Sequence, residues 1–277
     1  MVTQFGISES AKYFTPYFNN LLGVRCSVNP HSQSTYFTYE PTLQVGMYTR
    51  ADYEFVMRMR NRVYIIWCGA DAVSNLLDDS ITKQFNEHNN ITHISVSDHI
   101  TKALNSLRNV IQIHVPFTDL DFWYKDGVTP KPGIGVYTYA PGDDTYVNNG
   151  GFYNSVRTEL PCTFIEVTRQ DKYSKDELYK VYEDSFIGIR FRTFDRTPAS
   201  VVEMALMGRP YIWGGTSPGS LEFRGDSSPA EIRDILMHTL ALRKEPDAGE
   251  KAAKLAARAY SYYSAEESKL RHTLEFI

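Results

Sequence analysis

The chain has 277 residues, 42% of them hydrophobic and 22% charged, with a formal net charge of −4. That length suits two compact halves, and that composition excludes a disordered or low-complexity chain. The negative total argues against a chain-wide electrostatic grip on nucleic acid or anionic membrane, and leaves a local basic patch open.

Taken from the N-terminus, the first strong signals are a helix over Arg50 to Arg60 and an apolar, β-rich run from Val63 to Cys68. A strand at Ile91 to Val96, a helix at Asp98 to Leu107 and a strand at Val110 to Val115 complete the first half. Residues Pro116 to Gly133, with three prolines and two glycines, form the candidate linker. Beyond it, strands are expected at Ile134 to Tyr139, Cys162 to Val167, Phe186 to Arg190 and Pro210 to Trp213. Helical stretches near Asp144 to Tyr153, Ser174 to Glu183 and Pro198 to Met207 separate them, and the chain is helical almost throughout from Pro229. Strands alternating with helices, twice over, predict the α/β class with two parallel-sheet, Rossmann-like domains. The domains are expected at residues 1–117 and 118–261, with 262–277 packing back on the first. Ligands of such sheets bind at the carboxyl ends of the strands, so the two sets of loops are expected to face each other across a cleft.

The most informative segment runs from Gly188 to Pro210. A buried strand ends at Arg190, a polar loop follows, and Thr197 with Pro198 reads as the N-cap and first turn of a helix that stops at Gly208. The start of that helix, Thr197 to Ser200 with Ala199, offers free N–H groups and partial positive charge, which suit a diphosphate. Arg190, Arg192 and Arg196 lie close by in sequence. Glu203, about a turn and a half into the helix, is too far to cap it and suits hydrogen bonds from sugar hydroxyls. A lone arginine would read as a salt-bridge partner; three arginines, two carboxylates and a capped helix between apolar strands read as a site.

This segment resembles the donor-binding motif of glycosyltransferases with the GT-B fold, above all the large retaining group. There, two acidic residues with seven positions between them end in a Glu-Ala-x-x-x-Gly-x-Pro turn. Asp195 and Glu203, followed by Met204-Ala-Leu-Met-Gly-Arg-Pro210, hold those positions, with Asp in place of the first Glu and Met204 in place of the alanine. Trp67-Cys-Gly-Ala-Asp71 resembles the loop that faces the sugar, and Gly6-Ile-Ser-Glu-Ser10 stands where a glycine-rich loop would follow the first strand. The resemblance implies sugar transfer from a nucleoside-diphosphate sugar, UDP-linked first, to a hydroxyl acceptor, with no metal and no further cofactor. It implies catalytic roles for Asp71, Arg190 and Glu203. Donor contacts would come from Gly6, Arg192, Asp195, Thr197, Ala199, Ser200 and Glu203. The acceptor is a saccharide or small hydroxylated molecule, or a hydroxymethylated DNA base as in compact phage enzymes of this fold. A module that binds the nucleotide sugar without turnover is the alternative.

Weaker signals carry less. Cys26, Cys68 and Cys162 stand far apart, which supports neither a disulfide framework nor a zinc site and fits a cytoplasmic setting. No leader pattern or membrane-length apolar run is present. Asp119-Leu-Asp121 spells a metal signature of another transferase fold but sits in the linker, where it reads as a turn. His93 and His114 fall on strands and read as structural. The cluster of Arg50, Arg58, Arg60 and Arg62 could contact an anionic acceptor and so keeps the DNA base open, yet cations at a helix C-terminus, where the last three fall, are expected from the dipole alone.

Overall fold

The computed structural model describes residues 2–23, 27–28, 39–73, 77–128, 133–139, 150–158, 160–168, 170–191 and 197–275. The chain divides into two units, Met1–Phe117 with Ala265–Ile277, and Thr118–Ser264; the sequence puts the second junction three residues earlier. Each unit holds one sheet, and every strand pairing is parallel.

The sheet of the first unit runs β2-β1-β3-β4-β5-β6. Its strands are β1 (Gln4–Ile7), β2 (Ser27–Val28), β3 (Thr42–Val45), β4 (Val63–Trp67), β5 (Ile91–Ser95) and β6 (Val110–Gln112). All residues of β3 and β4 are buried, as expected for a parallel sheet covered on both faces. The helices are α1 (Thr15–Leu22), α2 (Arg50–Arg58), α3 (Asp79–Glu87) and α4 (Asp98–Ala103). The last three begin on Thr49, Asp78 and Ser97, whose side chains accept a third-residue backbone N–H; such a cap stabilises a helix by about 1 kcal/mol. The C-terminal residues join this unit physically. Leu270 and Leu274 are buried in its core, the Glu266 carboxylate accepts the His114 N–H (2.6 Å), and Lys269 donates to the Gln112 carbonyl (2.5 Å).

His93 shows how this core constrains titration. Trp67 Nε1–H donates to His93 Nδ1 (3.1 Å), Phe85 packs edge-on against the imidazole, and burial pushes the ring down to about 4. The folded protein therefore refuses a proton that the unfolded chain accepts below pH 6.5, so stability is full above that value and falls as pH drops toward 4. The loss is about 3 kcal/mol from this group. In His93→Gln, urea unfolding between pH 7 and 4 should lack that part of the slope.

The second unit's sheet runs β8-β7-β9-β10-β11, from β7 (Gly135–Tyr139), β8 (Thr163–Val167), β9 (Ser185–Ile189), β10 (Tyr211–Trp213) and β11 (Ser220–Glu222). Its helices are α5 (Leu120–Trp123), α6 (Gly150–Arg157), α7 (Lys175–Glu183), α8 (Ala199–Leu206), α9 (Pro229–Leu242) and α10 (Ala248–Glu275), the last ending in the first unit. Residues 144–149 of the helix expected before Tyr153 lie outside the described residues. The candidate linker is corrected in part. Leu120 and Trp123 are buried in the second unit's core, so apolar burial draws 118–123 out of the loop and into that fold. Asp119 there caps α5 and Asp121 accepts the Tyr260 hydroxyl (2.8 Å).

Two glycines let α8 lie close. A Cβ on Gly188 would stand 2.3 Å from the Tyr211 ring and 2.7 Å from Met204 Sδ. After α8, the Gly208 N–H returns to the Ala205 carbonyl (2.9 Å) and the Arg209 N–H to that of Met204 (2.8 Å), a Schellman ending that needs the left-handed φ of +73° found at Gly208. A Cβ there would also meet the Ala252 carbonyl oxygen at 2.4 Å. Gly208→Ala should therefore cost about 3 kcal/mol, strain plus overpacking, read by chemical denaturation.

Candidate active site

In the second unit β8 lies to one side of β7 and β9 to the other, so the chain reverses its winding there, and sheets of this kind take ligands outside the strands' carboxyl ends at such a point. Tyr139 is the last residue of β7, and Arg190 follows the last residue of β9. The Arg190 guanidinium carbon lies 5.8 Å from the centroid of the Tyr139 ring, a cation–π distance. The Arg190 backbone N–H donates to the Ile212 carbonyl (2.8 Å), and the next residue, buried Phe191, donates its N–H to the Tyr153 hydroxyl (3.3 Å). Backbone and ring together fix where the cation stands. Arg192, Asp195 and Arg196 lie outside the described residues.

The helix start differs by one residue from the expectation. Pro198, not Thr197, is the N-cap; its ψ of 144° is extended and no side chain caps the helix. Thr197 stands one position before, buried, because the proline ring fixes φ but permits an extended ψ, so helical geometry begins only at Ala199. The first intrahelical donor is Val201, to the Pro198 carbonyl (3.0 Å), which leaves the N–H groups of Ala199 and Ser200 outside the helix ladder. Ser200 Oγ donates to the Tyr211 hydroxyl (3.4 Å), which donates to the Ile189 carbonyl (3.5 Å). That chain ties the N-terminus of α8 to the end of β9, beside Arg190.

Glu203 turns inward. One carboxylate oxygen accepts the Thr118 hydroxyl and the other the Tyr182 hydroxyl, each at 2.8 Å, and Trp123 Nε1–H donates to Thr118 Oγ1 (2.8 Å). Burial pushes this carboxyl up, with the two hydroxyls opposing. The side chain thus joins α8 to α7 and to the 118–123 segment.

Asp71 and Gly6 belong to the first unit. Asp71 is fully buried in a single 3-10 turn, Ala70–Val73. It accepts the backbone N–H groups of Met47 (3.1 Å), Cys68 (3.1 Å) and Gly69 (2.7 Å), which lower its pKa against a larger upward push from burial. It laces the loop after β3 to the loop after β4. Gly6 is not in a loop: it lies within β1, paired with Ser27 and Gln44, because the alternation continues to Ile7 and the chain turns only at Ser8. Ser8 Oγ donates to Asp52 (2.9 Å), as do the Tyr48 and Thr49 N–H groups (3.1 and 2.8 Å). Sequence reasoning passed over Asp52, although the Thr49-x-x-Asp52 capping spacing marks it. It also passed over Tyr139, whose only signal is an aromatic ring closing a strand.

The structure therefore gathers Arg190, Ala199 and Ser200 at the carboxyl end of β9, turns Glu203 inward to Thr118 and Tyr182, and puts Asp71 in the other unit. Among the described residues no three His, Cys, Asp or Glu side chains group as a metal site would need, and no helix is long and apolar enough to cross a membrane.

Two parallel sheets with flanking helices are the architecture of the GT-B fold, and solved glycosyltransferases share it. The Anabaena protein Alr3699/HepE, crystallised with UDP and glucose, matches at a TM-score of 0.58 and 10% identity over 99% of this chain and 100% of its own. The DNA-modifying enzyme β-glucosyltransferase matches at 0.55 and 9%, over 98% and 99%. TarM matches at 0.56 and 12% over 96% of this chain, which spans only 57% of TarM. No protein-family model matches the chain, and no curated protein matches it.

Proposed function

We propose that the chain is a glycosyltransferase that moves a sugar from a nucleoside-diphosphate sugar, UDP-linked first, to a hydroxyl acceptor, with retention and without a metal. The observation that carries this reading is Arg190, held against Tyr139 beside the N–H groups of Ala199 and Ser200, which have no backbone acceptor among the described residues. The barrier in such a transfer is departure of the diphosphate from an oxocarbenium-like centre. Fixed positive charge and oriented N–H groups at the departing β-phosphate lower it. Thr197, Arg192 and Asp195 remain further donor contacts in this reading. Retention rests on the resemblance of the Asp195 to Pro210 segment. Glu203 acts as a positioning residue for α8, and Asp71 as one for the loop Cys68 to Asp71; Gly6 acts only through its place in β1.

A saccharide or small hydroxylated molecule is the acceptor that the net charge favours. A DNA base is the second reading, favoured by the near-equal length of the DNA-modifying neighbour. The arginines that kept it open support it less. Arg60 and Arg62 precede β4, so they stand at the amino end of their sheet, away from the edge where a parallel sheet binds ligands. Calorimetric titration of UDP, GDP and UDP-glucose, with and without EDTA, tests the donor. UDP binding that survives EDTA and weakens in Arg190→Ala is expected; no nucleotide binding would overturn the proposal, and binding without transfer or donor hydrolysis would leave only the binding-module alternative. Absence of a low-salt gel shift with hydroxymethylated duplex removes the DNA reading.

A further inference from the structure

At the amino end of the second unit's sheet lies a cavity of about 200 Å³. Its floor is Phe186, the second residue of β9, and Pro210, just before β10. Leu242 of α9 and Ala248, Ala252 and Leu255 of α10 wall it, and Arg209, Arg243 and Lys251 line it as well. Both α9 and α10 border the cavity, and α10 passes over the Schellman turn at Gly208, with Ala252 against its backbone.

The three cations are not equivalent. Lys251 is held by Glu245 and by Asp247 (3.1 Å). Arg209 is 3% exposed, with Glu183 and Tyr179 as its electrostatic neighbours. Arg243, half-buried at the end of α9, makes no side-chain hydrogen bond or ion pair among the described residues. The hydroxyl of Thr239, which also lines the space, is already given to the Ile235 carbonyl (2.8 Å). The cavity thus combines apolar walls, few spare polar groups and a planar cation with free donors.

We propose that this cavity binds a small organic carboxylate with a compact apolar body, one aromatic ring or a branched alkyl group, at a site separate from the donor site. Size sets the body: a cavity of roughly 150 Å³ already holds one benzene ring. The head group follows from Arg243, since guanidinium pairs with carboxylate through two parallel hydrogen bonds. A phosphate dianion would need more donors than the apolar lining supplies. The site faces the sheet edge opposite Arg190, so its occupant and a nucleotide do not compete.

Benzoate, benzyl alcohol and inorganic phosphate are the probes, titrated into the full chain by calorimetry and by ligand-observed NMR. Saturable benzoate binding is expected, weakened about tenfold or more in Arg243→Gln, the loss of a charge-assisted pair. Ala248→Phe, which puts a ring on the cavity wall, should abolish it, with both variants shown folded by circular dichroism. Equal binding of benzyl alcohol, tighter binding of phosphate, no benzoate binding, unchanged binding in either variant, or displacement of benzoate by UDP would each overturn the assignment. A failure to bind UDP would count against the proposed function and not against this cavity.

Discussion

Arg190→Ala should lower kcat/KM for sugar transfer by about 10²–10³-fold, the usual consequence of removing one preorganised group that stabilises transition-state charge, or about 3–4 kcal/mol. The effect is expected mainly in kcat. The charge on the diphosphate oxygen grows as the glycosidic bond breaks, so the cation interacts more strongly with the transition state than with the bound donor. Arg190→Lys should recover only part of the loss. Lysine keeps the charge but not the planar, delocalised cation whose carbon stands 5.8 Å from the Tyr139 ring centroid. Steady-state kinetics with a UDP-sugar, set beside calorimetric Kd values for UDP, separates the two contributions. A change below about threefold in both, in a variant that melts like the parent, would remove Arg190 from the chemistry.

The second large effect is on stability. In Glu203→Ala the hydroxyls of Thr118 and Tyr182 lose their acceptors, and a cavity opens under α8. Buried donors left unsatisfied, together with lost volume, should cost about 3 kcal/mol in urea unfolding. Glu203→Gln, which can still accept one hydroxyl and donate to the other oxygen, should cost much less. The pH dependence has a definite sign. Burial raises this carboxyl, so the folded state binds a proton that the unfolded chain has released. Its contribution is fullest below the ordinary carboxylate value and declines as pH rises through the raised one, and Glu203→Gln should lack that decline. If Glu203→Ala is as stable as the parent, the carboxylate does not hold α8 in place.

Much of the fold follows from the sequence because fully buried parallel strands write themselves as unbroken apolar runs. Val63 to Trp67 and Ser185 to Ile189 are buried at every position. β3 escapes notice because Thr42 and Gln44 interrupt its apolar pattern, yet both are buried. The Gln4 amide donates to Thr42 Oγ1 (3.2 Å) and the Gln44 amide nitrogen to the Gly46 carbonyl (3.0 Å), while Gln44 Oε1 is buried without a hydrogen bond among the described residues. β11 escapes because three residues at a sheet edge, two half-buried and one exposed, carry little pattern. The site divides along the same line. The Arg190 position and the start of α8 depend on local chain geometry, which residue order expresses directly. The inward turn of Glu203 depends on Thr118 and Tyr182, 85 and 21 residues away in sequence, and nothing local to Glu203 announces them.

The return of the C-terminal residues to the first unit inverts the order in which the two units can mature. Thr118–Ser264 is continuous in sequence and can close as soon as it leaves the ribosome. The N-terminal unit cannot. Until residues 265–274 are translated, its core lacks Leu270 and Leu274, and Tyr17 lacks the neighbouring Glu267 and Arg271. The part made first is therefore the part completed last, and its unfinished apolar face is what a nascent-chain chaperone would meet during synthesis.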